Sequence, residues 1–251
     1  MPTQPDPAVP LTDQGTNMPA KPENILVECV GAAHTYGSGR TAVVAVHGVN
    51  ALIASGTQVA LTGPSGSGKS TLLHMMAGLV PATSGSLTWP AWGGPPLEAA
   101  GRIGIVFQGP SLLPALNVIE NVEFPLLLAD VSGRVARNYA SDALKTLGLT
   151  DLAQQLPETL SGGQAQRVAV ARVLACAPEL ILADEPTGQL DHQAAALVID
   201  VLLRASEELG AALVISTHDP LIARRLPQQW TMRDGAMLVP GAGLSPAAVA
   251  S

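Results

Sequence analysis

Residues 63–71, "GPSGSGKST", limit what this chain can be more than any other stretch. They complete the spacing G-x-x-x-x-G-K-[ST], with Gly63, Gly68, Lys69 and Ser70 at the defining positions. Glycines at 63, 66 and 68 let successive backbone N–H groups converge on an anion without side-chain obstruction. "QVALTG" (58–63) reads as a short strand leading in, and "KSTLLHMMAGL" (69–79) as a helix leading out. The loop therefore ends on a helix N-terminus with its partial positive charge. A turn that merely caps a helix accounts for the glycines but not for Lys69, a cation where the helix repels one. The stretch is predicted to be a phosphate loop in which Gly63, Pro64, Ser65, Gly66, Ser67, Gly68, Lys69, Ser70 and Thr71 surround the phosphates of a nucleotide. Lys69 reaches the β- and γ-phosphates, and the Ser70 hydroxyl ligates Mg2+.

A magnesium–nucleotide site also needs a carboxylate at the end of a neighbouring strand. "LILADE" (180–185) supplies two. Four apolar residues bury the strand and deliver Asp184 and Glu185 to its C-terminal edge, where open α/β sheets bind ligands. Asp184 is expected to hold magnesium, and Glu185 to polarise an attacking water. An acidic pair capping a strand is the plainer alternative, and a complete phosphate loop weighs against it.

A second anion site is written in "LSGGQAQRVAVAR" (160–172). Ser161 and Gln164 have the spacing of a capping box, which predicts a helix starting there. The box does not explain Gly162 and Gly163, each of which weakens a helix by up to about 1 kcal/mol. Paired glycines indicate that something approaches the backbone closely, and a bare helix N-terminus with a serine hydroxyl suits a phosphate.

The remaining segments suggest how these pieces are arranged. "ILVECV" (25–30) and "TAVVAVHGVNALI" (41–53) are rich in β-branched residues and flank the turn "YGSGR", predicting an N-terminal antiparallel sheet. "GSLTW" (85–89) and "IGIVFQ" (103–108) are further strands around a loop, "PAWGGPP". From Leu112 to about Gln155 the pattern turns helical, an inserted lobe. "LILAD" (180–184) and "AALVIST" (211–217) are continuous apolar strands separated by the helix "HQAAALVIDVLLRASEEL", which predicts a mainly parallel sheet covered on both faces. Asp234-Gly235 in "MRDGAMLV" signals a hairpin. Residues 1–23, rich in proline, and 241–251 read as disordered tails around one domain, 24–240, with its helical part at about 109–160.

A net charge of −7 argues against a nucleic-acid partner. The two cysteines, Cys29 and Cys176, read as separate reduced thiols in a cytoplasmic protein. No run of about 18 apolar residues predicts a membrane span, and the N-terminus lacks the features of a signal peptide.

"LSGGQ" between a phosphate loop and "LILADEPTGQLD" resembles the signature of ATP-binding cassette (ABC) ATPases, and the resemblance extends over nearly all of residues 25–238. It implies ATP as the nucleotide and an α/β fold: a P-loop NTPase core with an N-terminal antiparallel β subdomain and an inserted α-helical subdomain. Tyr36 in "HTYGSG" resembles the aromatic residue that stacks on adenine. Gln108 in "VFQ" resembles the glutamine that touches magnesium and links nucleotide to helical lobe. Leu190-Asp191 resembles the loop that crosses between subunits, and His218 in "STHD" the histidine that contacts the γ-phosphate. Taken singly, Tyr36, Gln108 and His218 would read as a turn residue, a strand end and a strand cap. Their order along the chain is what favours the family roles.

The resemblance further implies a head-to-tail dimer of cassettes, a homodimer or one with a different second cassette. In it Ser161, Gly162, Gly163 and Gln164 of one chain meet the nucleotide held by the other. A separate integral membrane permease would hold the dimer at the cytoplasmic face of the membrane. "SLLPALNVIENVEFPLLL" (111–128) and "ADEPTGQLD" (183–191) are similar to the subgroup serving lipoprotein release and macrolide export. This chain departs from it in a shorter stretch between Trp89 and Ile103, and in Gln189 where asparagine is common. A soluble cassette ATPase of iron–sulfur assembly or DNA maintenance is the rival reading. A phosphate-loop kinase or GTPase would lack "LSGGQ".

Overall fold

The computed structural model describes residues 24–96, 101–109 and 111–238, so the two expected tails lie outside the described residues. Two sheets form the frame. Strands β1 (Ile25–Tyr36), β2 (Val43–Ala54) and β4 (Ser84–Thr88) make an antiparallel sheet in the order β2-β1-β4. The second sheet runs β5-β6-β7-β3-β8-β9, formed from β5 (Ile103–Val106), β6 (Leu180–Asp184), β7 (Ala212–Thr217), β3 (Gln58–Thr62), β8 (Gln228–Arg233) and β9 (Ala236–Met237). Its first five strands are parallel. β9 folds back antiparallel through Asp234 and Gly235, both at positive φ as a tight hairpin turn requires.

The central strands β6 and β7 are buried at every position and mostly apolar, because both of their faces are covered. Ile181 and Ala183 of β6, with Leu213 and Ile215 of β7, join one core with α4 (Gly162–Ala175), α5 (His192–Leu209) and the helical lobe. The alternate residues Leu180, Leu182, Ala212 and Val214 join a second core with α1 (Lys69–Met76) and the antiparallel sheet. The period of two thus assigns each side chain to one of two cores.

The lobe contains α2 (Val118–Leu128) and α3 (Gly133–Thr146). Asn117 and Glu120 form a capping box at the start of α2. Fully buried Asn121 ties the preceding loop down, accepting from Leu113 N and donating to the carbonyls of Leu113, Leu116 and Asn117. Ala136, Ala140 and Leu144 of α3 recur every four residues and are buried. A short helix α6 (Pro220–Ala223) follows β7.

Several boundaries differ from the sequence reading. β1 does not stop at Val30. Gly31, at φ 57°, and register shifts between Cys29 and His34 carry it through an irregular stretch to Tyr36. β4 lies one residue earlier than expected, and β5 ends at Val106, leaving Phe107 and Gln108 beyond the ladder. Both thiols are free; burial pushes Cys29 up to about 12 and raises Cys176. Cys29 is therefore expected to resist alkylation in the native protein and to react on unfolding, readable by mass spectrometry after iodoacetamide treatment.

Candidate active site

The 63–71 loop is clamped between two strands that the sequence does not connect to it. A Cβ on Gly63 would lie 2.2 Å from Met232 O of β8, and one on Gly68 would lie 2.2 Å from Ala45 O of β2. Both glycines also sit at positive φ, 146° and 95°. The Asp234-Gly235 hairpin supports the loop from outside, with Gly235 N donating to Ser67 O (3.1 Å). Ser65 and Gly66 are exposed at the tip of the loop. Lys69 is buried inside it and donates to Gly63 O (2.9 Å) and Pro64 O (3.0 Å). Ser67 Oγ is buried without a partner among the described residues. Ser70 and Thr71 occupy the first turn of α1.

The acidic strand is not the phosphate-loop strand's neighbour, as the sequence reading had it. β7 lies between β3 and β6, because the sheet places the later strand centrally. Asp184 pairs in register with Ser216, and Thr62 with Thr217. β7 therefore delivers Ser216, Thr217 and His218 between the phosphate loop and the acids. Ser216 Oγ donates to Asp184 Oδ1 at 2.5 Å and itself accepts from Glu185 N at 3.0 Å. Asp184 is the last residue of β6, at the C-terminal edge as expected, and its side chain is buried.

Glu185 adopts φ 44°, a left-handed conformation that costs a non-glycine residue roughly 1–2 kcal/mol. Its N–H offsets this by reaching both Ser216 O and Ser216 Oγ. Glu185 Oε2 is 3.0 Å from His218 Nδ1. A cleft of about 500 Å³ opens here, lined by Thr62, Gly63, Pro64, His218, Asp219 and Gln229.

Ser161 caps α4 as expected: its Oγ accepts from Gln164 N (3.2 Å), and Gln164 Oε1 accepts from Ser161 N (2.8 Å). Ser161 and Gly162 are exposed. The glycine pair is approached from within the chain. Cβ atoms there would meet Gln189 Oε1 at 3.3 Å and Leu190 Cδ2 at 3.2 Å. Asp191 caps α5, accepting from Ala194 N at 2.8 Å. Tyr36 is exposed at the end of β1, opposite Val43, with His34 edge-on to its ring at 4.4 Å. Val43 lies two residues before Ala45, whose carbonyl walls the 63–71 loop. Gln108 is exposed just past β5.

The residues fit ATP with magnesium. The loop offers backbone and Lys69, while Ser70 and Asp184 offer hard oxygen ligands. Among the described residues no group of three or more His, Cys, Asp or Glu could hold a metal ion. The sequence reading missed Ser216. Its one signal was a hydroxyl that, with Thr217, ends an apolar run.

The ABC transporter family model matches residues 46–188. The chain is 40% identical over 210 residues to the lipoprotein-releasing system ATP-binding protein LolD of Legionella pneumophila (strain Paris), covering 81% of this chain and 92% of that protein. It belongs to the ABC transporter family. It is 38% identical over 220 residues to LolD of Hyphomonas neptunium, covering 85% and 96% of the two chains. Among solved structures, the ABC cassette resembles the dimeric post-hydrolysis state of the cassette MJ0796 bound to ADP and Pi. The TM-score is 0.80 and the identity 36%, with 85% of this chain and 97% of that one covered. It also resembles cbiO1 of Clostridium perfringens, part of the ABC transporter complex cbiONQ, with TM-score 0.73, identity 29% and coverages of 87% and 89%. The expected fold is borne out, and with it an ATP-binding, ATP-hydrolysing transporter subunit that drives a separate membrane permease. The similarities favour this over a soluble iron–sulfur or DNA factor. No helix among the described residues is long and apolar enough to cross a membrane.

Gly68→Ala in this ABC cassette would combine positive-φ strain with overlap on Ala45 O. It is expected to weaken ATP binding more than about tenfold, since together these exceed ~1.4 kcal/mol. Titration with a fluorescent ATP analogue reads this, and affinity like that of the unmodified protein would contradict it.

Proposed function

We propose that this chain hydrolyses Mg2+–ATP to drive a permease of the lipoprotein-release or macrolide-export type, at the cytoplasmic face of the membrane. The observation that carries the proposal is the convergence of Lys69, Asp184, Glu185 and His218 on one end of the sheet, with the Ser161 helix start facing outward. The identity with LolD over most of both chains supports the cargo class.

In this reading the loop backbone and Lys69 hold the phosphates, Tyr36 stacks on adenine, and Ser70, Asp184 and Gln108 serve magnesium. The ion would screen phosphate charge. Glu185 accepts a hydrogen bond from the attacking water, and His218 holds the Glu185 carboxylate while facing the γ-phosphate. A second copy, related by a two-fold axis, covers the phosphates with Ser161, Gly162, Gly163 and Gln164 and excludes water. Asp191 and its loop lie at that junction. The domain is 24–240, with the helical lobe at about 109–160.

The permease docks on the lobe. Phe124, Leu127 and Leu128 of α2 are exposed, and Leu128 lines a groove of about 590 Å³ with Arg102, Ile103 and Pro125. Exposed apolar residues beside a groove mark an interaction surface. With its permease in membranes, Gln108→Ala should lower transport more than ATP binding, and photo-crosslinkers at Phe124 and Leu127 should capture the permease. Crosslinks confined to the antiparallel sheet would count against this.

A further inference from the structure

α4 holds the segment that carries Gln108 at several points. Gln166 is buried, and its Nε2 donates to Phe107 O at 3.0 Å, while its Oε1 has no partner among the described residues. Arg172 donates from Nη1 to Ser111 O (2.7 Å) and from Nη2 to Ser111 Oγ (2.6 Å). Val173, seven residues after Gln166 and so on the same helix face, lies where a Cβ on Gly104 of β5 would fall, 2.3 Å from Val173 Cγ1. The glycine lets α4 lie directly on β5. On its other side the Phe107 ring meets His74 of α1, with centroids 5.8 Å apart. Phe107 is thus wedged between the phosphate-loop helix and the helix that Ser161 starts.

We propose that Gln166 and Arg172 are positioning residues that fasten the Gln108 segment to α4 on both sides, so that Gln108 and Ser161 move as one body. A displacement of Gln108 by the lobe or a docked partner then shifts the Ser161 helix start directly, without being relayed through α2 and α3. The clamp itself follows from the contacts above, whereas its effect on turnover rests on the role proposed for Gln108.

Two measurements test these parts separately. Gln166→Leu removes the donor and the orphaned oxygen together, and Arg172→Met keeps the alkyl stem. Hydrogen exchange at the amides of Phe107, Gln108 and Gly109, read by mass spectrometry without nucleotide, should quicken about fivefold in each, as for loss of one hydrogen bond. Unchanged exchange in both would overturn the clamp, whatever the enzyme's function. Steady-state kinetics then probe coupling. Each variant should lower kcat about fivefold with KM for ATP within about twofold. Combined with Gln108→Ala, each should add nothing to the loss caused by Gln108→Ala alone. Additive losses would overturn action through Gln108. Full kcat in Gln108→Ala would instead refute the role proposed for Gln108, with the exchange data still deciding the clamp.

Discussion

Glu185→Gln is expected to bind ATP within about twofold of the unmodified protein and to turn it over at least a hundredfold more slowly, the scale of a lost general base. The amide keeps the shape of the side chain and the Glu185 N–H bonds to Ser216, so the left-handed backbone is retained. It loses the charge that, in the proposed mechanism, polarises water. Lys69→Ala should behave oppositely and weaken binding itself, because Lys69 is the buried cation inside the phosphate loop. Malachite-green phosphate release and nucleotide titration separate the two. Comparable turnover in Glu185→Gln and the unmodified protein would refute the assignment of the base.

Sedimentation should show an ATP-dependent dimer. Glu185→Gln with ATP is expected to sediment as a dimer, and with ADP as a monomer. With ATP, adding Ser161→Arg or Ser161→Asp should restore the monomer. The two substitutions differ usefully. Asp is as good a helix cap as Ser, so Ser161→Asp keeps α4 intact while setting a negative charge against the partner's γ-phosphate. Arg removes the cap, worth about 1 kcal/mol, and adds bulk. Loss of the dimer in both, with Tm nearly unchanged in Ser161→Asp, locates the effect at the interface. A dimer indifferent to nucleotide and to both substitutions would refute the shared site. The dimeric MJ0796 cassette with ADP and Pi makes this the natural form to look for.

Much of the cassette is legible locally. The 63–71 loop, the Ser161–Gln164 box and the Asp234-Gly235 turn each depend on residues within a few positions. Neighbours in sequence are neighbours in space whatever the fold, so such signals survive. The misreadings share an opposite cause. Gly31 looks like a strand end, yet the backbone bends there and pairing with β2 resumes. Phe107 looks like strand, yet its carbonyl turns to Gln166, 59 residues on. Gly162 and Gly163 do imply a close approach, and the Gln189–Leu190 loop of the same chain already supplies one.

By itself the sequence determined that a glycine-rich loop joins a strand to a helix, that two acids end a buried strand, and that a capped helix starts at Ser161. It also determined a mainly parallel sheet, because apolar runs between helices need cover on both faces. Tertiary structure alone decided that β7, and not β6, lies beside the phosphate-loop strand, and therefore that Ser216 joins Asp184 to Glu185. It alone set Ala45 O and Met232 O against Gly68 and Gly63, and tied Gln166 and Arg172 to the Gln108 segment. The physical reason is that a hydrogen bond or a steric wall is made by whatever atom arrives within about 3 Å. Between segments tens of residues apart, strand order and helix packing decide which atom that is.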